Sequence, residues 1–278
     1  MKLLRFGPVG QEKTGALDAQ GGIRDLSSLV PDLTPEWLAP DRLKALRAVN
    51  LEAFPVVSSS VRLGTPISGV RQFLAIGLNY RKHAEEAGMD IPKEPVVFTK
   101  AITSLSGPND DIVLPDGSQE CDWEIELGFV MGTTARKVPV DQALDYVAGY
   151  CLANDVSERH WQIKRGGQWT KGKSFDTFGP IGPWLVTTDE IPNPQTLEME
   201  LKVNGETRQK SNTADMIFTV AEIVSHLSQF MTLLPGDVVI TGTPSGVGLG
   251  MKPPQFLKKG DLVTLSIEQL GTQTQKVV

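Results

Sequence analysis

The run Trp123-Glu124-Ile125-Glu126-Leu127-Gly128, continued by Phe129-Val130-Met131, constrains this chain more than any other stretch. It reads as a β-strand that carries two carboxylates. Side chains alternate between the faces of a strand, so Glu124 and Glu126 point the same way, ~7 Å apart along the chain. Trp123, Ile125 and Leu127 take the opposite face. Two like charges on one face repel, and burying each of them is costly unless something compensates. A sheet with one solvated face would accommodate the pair without further help. On a buried face, the compensation that suits two carboxylates is a divalent cation, which requires a third oxygen ligand elsewhere in the chain.

The 278 residues suffice for one large domain or two unequal ones with a sizeable core. The chain holds 27 glycines and 19 prolines, well above the usual ~12% together, which favours a turn-rich, largely β protein. The net charge of −6 offers no footprint for nucleic acid. Cys121 and Cys151 form no metal or redox spacing motif. The N-terminus lacks the apolar core of a signal peptide, and no run approaches the ~18 apolar residues of a membrane span. A cytoplasmic protein without nucleic-acid or membrane partners is expected.

Residues 1–65 read as a small N-terminal α/β module with its linker. Short strands are expected at Lys2 to Phe6 and Thr14 to Leu17, then a helix with Pro35 near its start and Leu38, Leu43, Leu46 and Val49 on one face. The stretch Glu52 to Gly69 reads as a linker. From residue 66 to 278 strand and turn signals repeat. Asn204-Gly205 between Leu201-Lys202-Val203 and Glu206-Thr207-Arg208 predicts a type I′ hairpin. Thr219 and Glu222 form a capping box for a helix whose apolar face is Val220, Ile223, Val224, Leu227, Phe230 and Met231; His226 beside that stripe reads as structural.

Two motifs mislead. Gly167 to Ser174 matches the phosphate-binding pattern G-x-x-x-x-G-K-S, but no buried strand precedes it and Gly179-Pro180 ends any helix after it. Gly246-x-Gly248-x-Gly250 lacks dinucleotide-binding spacing, and Pro253-Pro254 forbids the helix it would need. With three histidines in the chain and no G-x-S-x-G, neither a histidine zinc cage nor a serine hydrolase is supported. A metal here would be held by oxygens, which favours Mg²⁺ or Mn²⁺.

Asp155 can supply the third oxygen, since Tyr150-Cys151-Leu152-Ala153 reads as a strand that ends at Asn154-Asp155; a helix cap is the alternative. An apolar strand Phe73 to Ile76 runs into Asn79, read as an N-cap, and a helical turn then sets His83 and Glu86 at i and i+3. Such a pair is either a surface contact or a general base acting on water.

Together these segments resemble the fumarylacetoacetate hydrolase family over about residues 71–278. The resemblance is carried by Gly77-x-Asn79-Tyr80-x-x-His83-x-x-Glu86, Glu124-Ile125-Glu126-Leu127-Gly128, Asp155-x-x-x-Arg159-x-x-Gln162, Lys173-Ser174-Phe175 and Gly242-Thr243-Pro244-Ser245-Gly246-Val247-Gly248. It implies an α+β, mainly β fold: a mixed β-roll catalytic domain at 66–278, commonly dimeric, with Mg²⁺ or Mn²⁺ bound. By that resemblance Glu124, Glu126 and Asp155 are the metal ligands, His83 with Glu86 the water-activating dyad, and Lys173 the catalytic lysine. Arg159, Gln162 and Thr243 fall where substrate oxygens are held. No carboxylate occupies Ile76 to Arg81, where the namesake enzyme has a further ligand. The implied reaction is metal-dependent cleavage of a 2,4-diketo acid with release of pyruvate. The N-terminal residues are similar to bacterial members that hydrolyse 2,4-diketo-3-deoxy-sugar acids of the L-rhamnonate and L-fuconate kind. Acylpyruvate hydrolysis, oxaloacetate decarboxylation and a non-catalytic metal-binding homologue are the alternatives.

Overall fold

In a computed structural model, residues 1–86 and 88–278 are described. The fold is α+β and mainly β, dominated by one large mixed sheet. At its centre lies Ile125–Met131, buried along its whole length. It pairs antiparallel with Val147–Asn154 on one side and with Val238–Ile240 on the other. Phe73–Gly77 runs parallel to Val238–Ile240, and Val96–Lys100 closes that edge antiparallel to it. In the other direction Val147–Asn154 pairs with Gly179–Thr187, and that strand receives the N-terminal Lys2–Phe6.

The alternation expected of the central strand holds. Ile125, Leu127, Phe129 and Met131 enter one core, shared with Leu201, Leu265, Ile223 and Leu227. Val130 enters a second core on the opposite face, with Leu33, Leu38, Leu43 and Leu46 from the N-terminal residues. Each such side chain contributes about 1.5–3 kcal/mol by leaving water, so both faces hold the strand in register. The first core is roofed by a second, four-stranded sheet in which Glu198–Val203 lies between Glu206–Asn212 and Leu262–Ile267. Asn204 and Gly205 both have positive φ, +53° and +81°, as a type I′ turn requires. The helix Val220–Phe230 starts with the expected capping box. Its last turn departs from expectation: Phe230 is exposed, while His226 packs edge-on against its ring.

Three further expectations change. The helix begun at Pro35 splits into the 3₁₀ turn Pro35–Leu38 and the α-helix Pro40–Arg47, because Pro40 lacks an N–H and restricts the residue before it. Within the stretch read as a linker, Val56–Val57 forms an edge strand on Ile23–Asp25. Asn79 is no N-cap. It is buried, donates to the Phe218 and Thr241 carbonyls and accepts from Phe218 N–H, stitching three segments together. No helix of the described residues is long and apolar enough to cross a membrane.

Candidate active site

Four strands bring their ends to one place. Ile125–Met131 begins there, and Phe73–Gly77, Val147–Asn154 and Val238–Ile240 finish there, as their registers require. Glu124 and Glu126 sit at the start of the first strand, and Asp155 follows the end of the third. Gly242 and Thr243 follow the fourth, and Gly242 N–H donates to Glu126 Oε2 at 2.8 Å. Beyond Phe73–Gly77 the helix Arg81–Glu86 presents His83 and Glu86. Asp155 is therefore not a helix cap.

Glu124, Glu126 and Asp155 are all buried, and each offers an oxygen within 4.8 Å of the others'. Lys173 Nζ lies 2.6 Å from Glu124 Oε2 and 2.5 Å from Asp155 Oδ2. Lys100 Nζ lies 2.6 Å from Asp155 Oδ1 and also donates to the Lys173 carbonyl. Arg159 pairs with Glu124 at 2.7 Å and with Asp122 at 2.8 Å. Four buried carboxylates thus face three buried cations. The unmatched one is Glu126, whose recorded partner is the Gly242 N–H.

The ionisation of these groups follows from that count. Burial drives the Glu126 carboxyl well above the ordinary range, and Asp155 and Glu124 push the same way. Burial also acts to raise Glu124, but Lys173 and Arg159 overcome it and hold that carboxyl low. Burial opposes the charge on Lys173, yet Asp155 and Glu124 outweigh it and raise the ammonium. Lys100 is lowered, because burial exceeds its attraction to Asp155 and Lys173 repels it. A hard divalent cation suits this donor set of three carboxyl oxygens, because its charge would favour the ionised form of Glu126, the carboxyl without a cationic partner.

His83 Nδ1 lies 3.4 Å from Glu86 Oε2. Both Glu86 oxygens accept from Gly246 N–H at 3.1 Å, which ties the helix Arg81–Glu86 to the loop 246–250. A Cβ at Gly250 would stand 2.4 Å from the Glu86 carboxyl carbon, so this glycine makes room for the carboxylate. The glycine-rich stretch that failed as a nucleotide motif thus supports the site. Gly248 N–H and Leu249 N–H donate to Asp122, and the Gly246 carbonyl accepts from Trp123 Nε1–H. The other misleading motif ends in the short helix Thr170–Lys173, which turns Lys173 inward onto the carboxylates.

All nine residues singled out in the sequence line one cavity of about 440 Å³: Glu124, Glu126, Asp155, His83, Glu86, Lys173, Arg159, Gln162 and Thr243. Their hydrogen bonds differ in what they leave free. Arg159 donates to Gln162 Oε1 at 2.9 Å, so the Gln162 amide has its N–H groups available. Thr243 gives its hydroxyl proton to the Ile125 carbonyl and accepts from Gln209, which leaves it one lone pair for a ligand. Sequence reasoning missed Lys100 and Asp122. Asp122 stood two positions before Glu124 in strand alternation, a signal that was present. Lys100 had none, because its partners lie 55 and 73 residues away.

Residues 72–278 match the fumarylacetoacetate hydrolase C-terminal family. A Burkholderia ambifaria protein, named no further than as a candidate hydrolase, is 59% identical over 276 residues, covering 99% of this chain and 98% of its own. Maleylpyruvate hydrolase from Sphingobium sp. SYK-6, solved with manganese(II) and pyruvate, superposes with a TM-score of 0.83 at 30% identity, covering 100% of this chain and 99% of its own. 2-Hydroxyhepta-2,4-diene-1,7-dioate isomerase from Mycobacterium marinum superposes with a TM-score of 0.76 at 32% identity, covering 100% and 98%. Hydrolases and isomerases therefore share this architecture. With the matched segment spanning most of its length, the chain belongs to the fumarylacetoacetate hydrolase family.

Proposed function

We propose that this protein hydrolyses a carbon–carbon bond in a 2,4-diketo acid and releases pyruvate, with Mg²⁺ or Mn²⁺ held by Glu124, Glu126 and Asp155. The observation that carries this reading is the placement of His83, backed by Glu86, on the same cavity as three buried carboxylates and Lys173. The manganese and pyruvate in the similar maleylpyruvate hydrolase support it. When bound, the divalent cation would polarise the keto-acid oxygens and take up negative charge as the bond breaks.

The chain's own groups supply the rest. Glu86 orients the imidazole through Nδ1, leaving Nε2 to take a proton from the attacking water. Two of the three Lys173 N–H bonds are engaged by Glu124 and Asp155, so the third is free to donate to the oxyanion that forms at the attacked ketone. A single donor of this kind is worth about 3–4 kcal/mol. Gln162, held by Arg159, directs its amide N–H groups at a substrate oxygen. Asp122, between Arg159 and the loop 246–250, keeps those parts in register.

The test is pyruvate release from a panel of 2,4-diketo acids and oxaloacetate, with metal supplied. Diketo acids are expected to turn over, exhaustive chelation to abolish it, and His83→Ala to lower kcat by about 10²–10⁴-fold. Full activity after chelation, or no cleavage of any diketo acid, overturns the reading. Isomerisation and decarboxylation need no attacking water. Turnover that survives in His83→Ala would replace hydrolysis with one of them.

A further inference from the structure

We propose that the cavity selects diketo acids with an apolar distal group, an alkyl or aryl ketone rather than a polyhydroxylated tail, and that Trp169, Phe98, Ile163, Met89 and Leu249 make that selection. The proposal rests on the diketo-acid reading above and names the class of substrate within it.

The most exposed side chains lining the cavity are apolar, although buried Ile76, Leu78 and Val247 also line it and polar His83 and Glu86 are half-buried. The carboxylates, Lys173, Arg159 and Gln162 are at most 5% exposed and form its floor. Met89 and Ile163, each 49% exposed, and Leu249, 38% exposed, stand at its mouth. Phe98 and Trp169 are half-buried between the two levels, with ring centroids 5.4 Å apart at 67°, an edge-to-face pair. Large apolar side chains left in water round a charged floor mark a binding surface.

The wall is built into the fold. Trp169 lies against the end of Phe73–Gly77 because Gly77 has no side chain; a Cβ there would stand 2.3 Å from a carbon of the indole ring. Phe98 comes from the neighbouring strand Val96–Lys100, and Lys173 Nζ lies 5.3 Å from its ring centre. The aromatic pair therefore begins where the charged floor ends.

A keto acid with its carboxylate end on that floor must extend its distal half past these side chains. Met89, Phe98, Ile163 and Leu249 offer no side-chain N–H or oxygen. A hydroxyl held there loses water without a replacement partner, while a methylene gains by leaving water. The hydroxylated substrate implied by the N-terminal resemblance would bring several hydroxyls to this wall.

The experiment uses the metal-supplied protein and reads pyruvate release from 2,4-diketo acids with unbranched distal chains of increasing length, a benzoyl member and a 2,4-diketo-3-deoxy-sugar acid. kcat/KM is expected to rise about fourfold per methylene while the chain remains on the wall. The sugar acid should fall at least about tenfold below the alkyl acid of equal length. Ile163→Ser and Met89→Ser, at exposed positions, should flatten the series; Gly77→Ala, which displaces Trp169, should depress the benzoyl member most. A flat series, or a sugar acid that equals its alkyl counterpart, overturns the proposal. Should no diketo acid be cleaved, the reaction fails but the wall is still read by calorimetry. Affinity for simple 2-oxo acids should then climb with chain length in the same way, and affinity independent of length overturns the proposal.

Discussion

Two buried polar clusters grow from the same pair of strands, and they solve the problem of burial in opposite ways. One is built of amides. Asn154 accepts from Glu124 N–H and donates to Gln275. Gln275 donates to Gln273 and to the Pro108 carbonyl, and Gln273 donates to the Leu152 and Gly182 carbonyls. Gln209 accepts from Ile125 N–H and donates to Thr243 and the Pro244 carbonyl. These amides fasten the four-stranded sheet to the large one, at a point where the central strand's own ladder runs out. The cluster is neutral, and its donors find acceptors within the protein. The other cluster is charged, has one more carboxylate than cations, and opens on a cavity. Buried polarity that serves cohesion is closed on itself. Buried polarity that is left unbalanced, beside open space, is complete only with a ligand.

Exchanging the chemistry of the two clusters tests that contrast, and Glu126→Gln carries the largest expected effect. It removes the excess charge at nearly constant volume. Turnover with metal supplied should fall by about 10³-fold or more, and calorimetric metal affinity should fall with it. Thermal stability of the metal-free protein should hold or rise, since burial and the neighbouring carboxylates already favour the uncharged form of Glu126, whose shape the amide keeps. A variant that unfolds while its folded fraction stays active would place Glu126 in the cohesive class and dissolve the distinction.

Gln275→Glu is the reverse exchange. It puts an acceptor where Nε2 donates to the Pro108 carbonyl and Gln273, and it adds a charge with no cation recorded among its present partners. Unfolding in denaturant should show a loss of about 3–5 kcal/mol, with kcat of the remaining folded protein within about twofold of the parent. A large loss of kcat at unchanged stability would mean that the amide cluster also serves chemistry.

What could be read from the sequence divides along similar lines. Alternation placed Glu124 and Glu126 on one face because a strand's period is two whatever it packs against. The Asn204-Gly205 hairpin and the Thr219 capping box were legible because their causes are local: positive φ in one case, unsatisfied N–H groups in the other. The candidate site residues were legible mainly as an ordered series of motifs; single spacings left His83 open to a surface contact and Asp155 to a helix cap, and Lys173 was marked by the resemblance alone. Long-range pairing was not legible. Nothing near Lys2–Phe6 announces Gly179–Thr187 as its neighbour, and Asn79 looked like a cap because its partners at Phe218 and Thr241 are more than 130 residues away. The edge strand Val56–Val57 is two residues long, too short for any period to show.

Lys100 shares features with both clusters, and it carries the smallest expected effect. It is fully buried, ends an edge strand, and touches Asp155 and the backbone carbonyls of Val156 and Lys173. Its position suits a cation that holds two site residues in place. Lys100→Met keeps the bulk of the side chain and removes its charge. Loosening Asp155 and Lys173 should lower kcat by about 10–100-fold. Metal affinity should not fall in proportion, because the carboxylates lose a competing positive charge. An ordinary cohesive role would give the opposite pattern, a drop in stability with kcat retained. Parallel denaturant unfolding, metal calorimetry and kcat on one variant distinguish the two, and a drop in stability alone would move Lys100 out of the charged site and into the company of the amides.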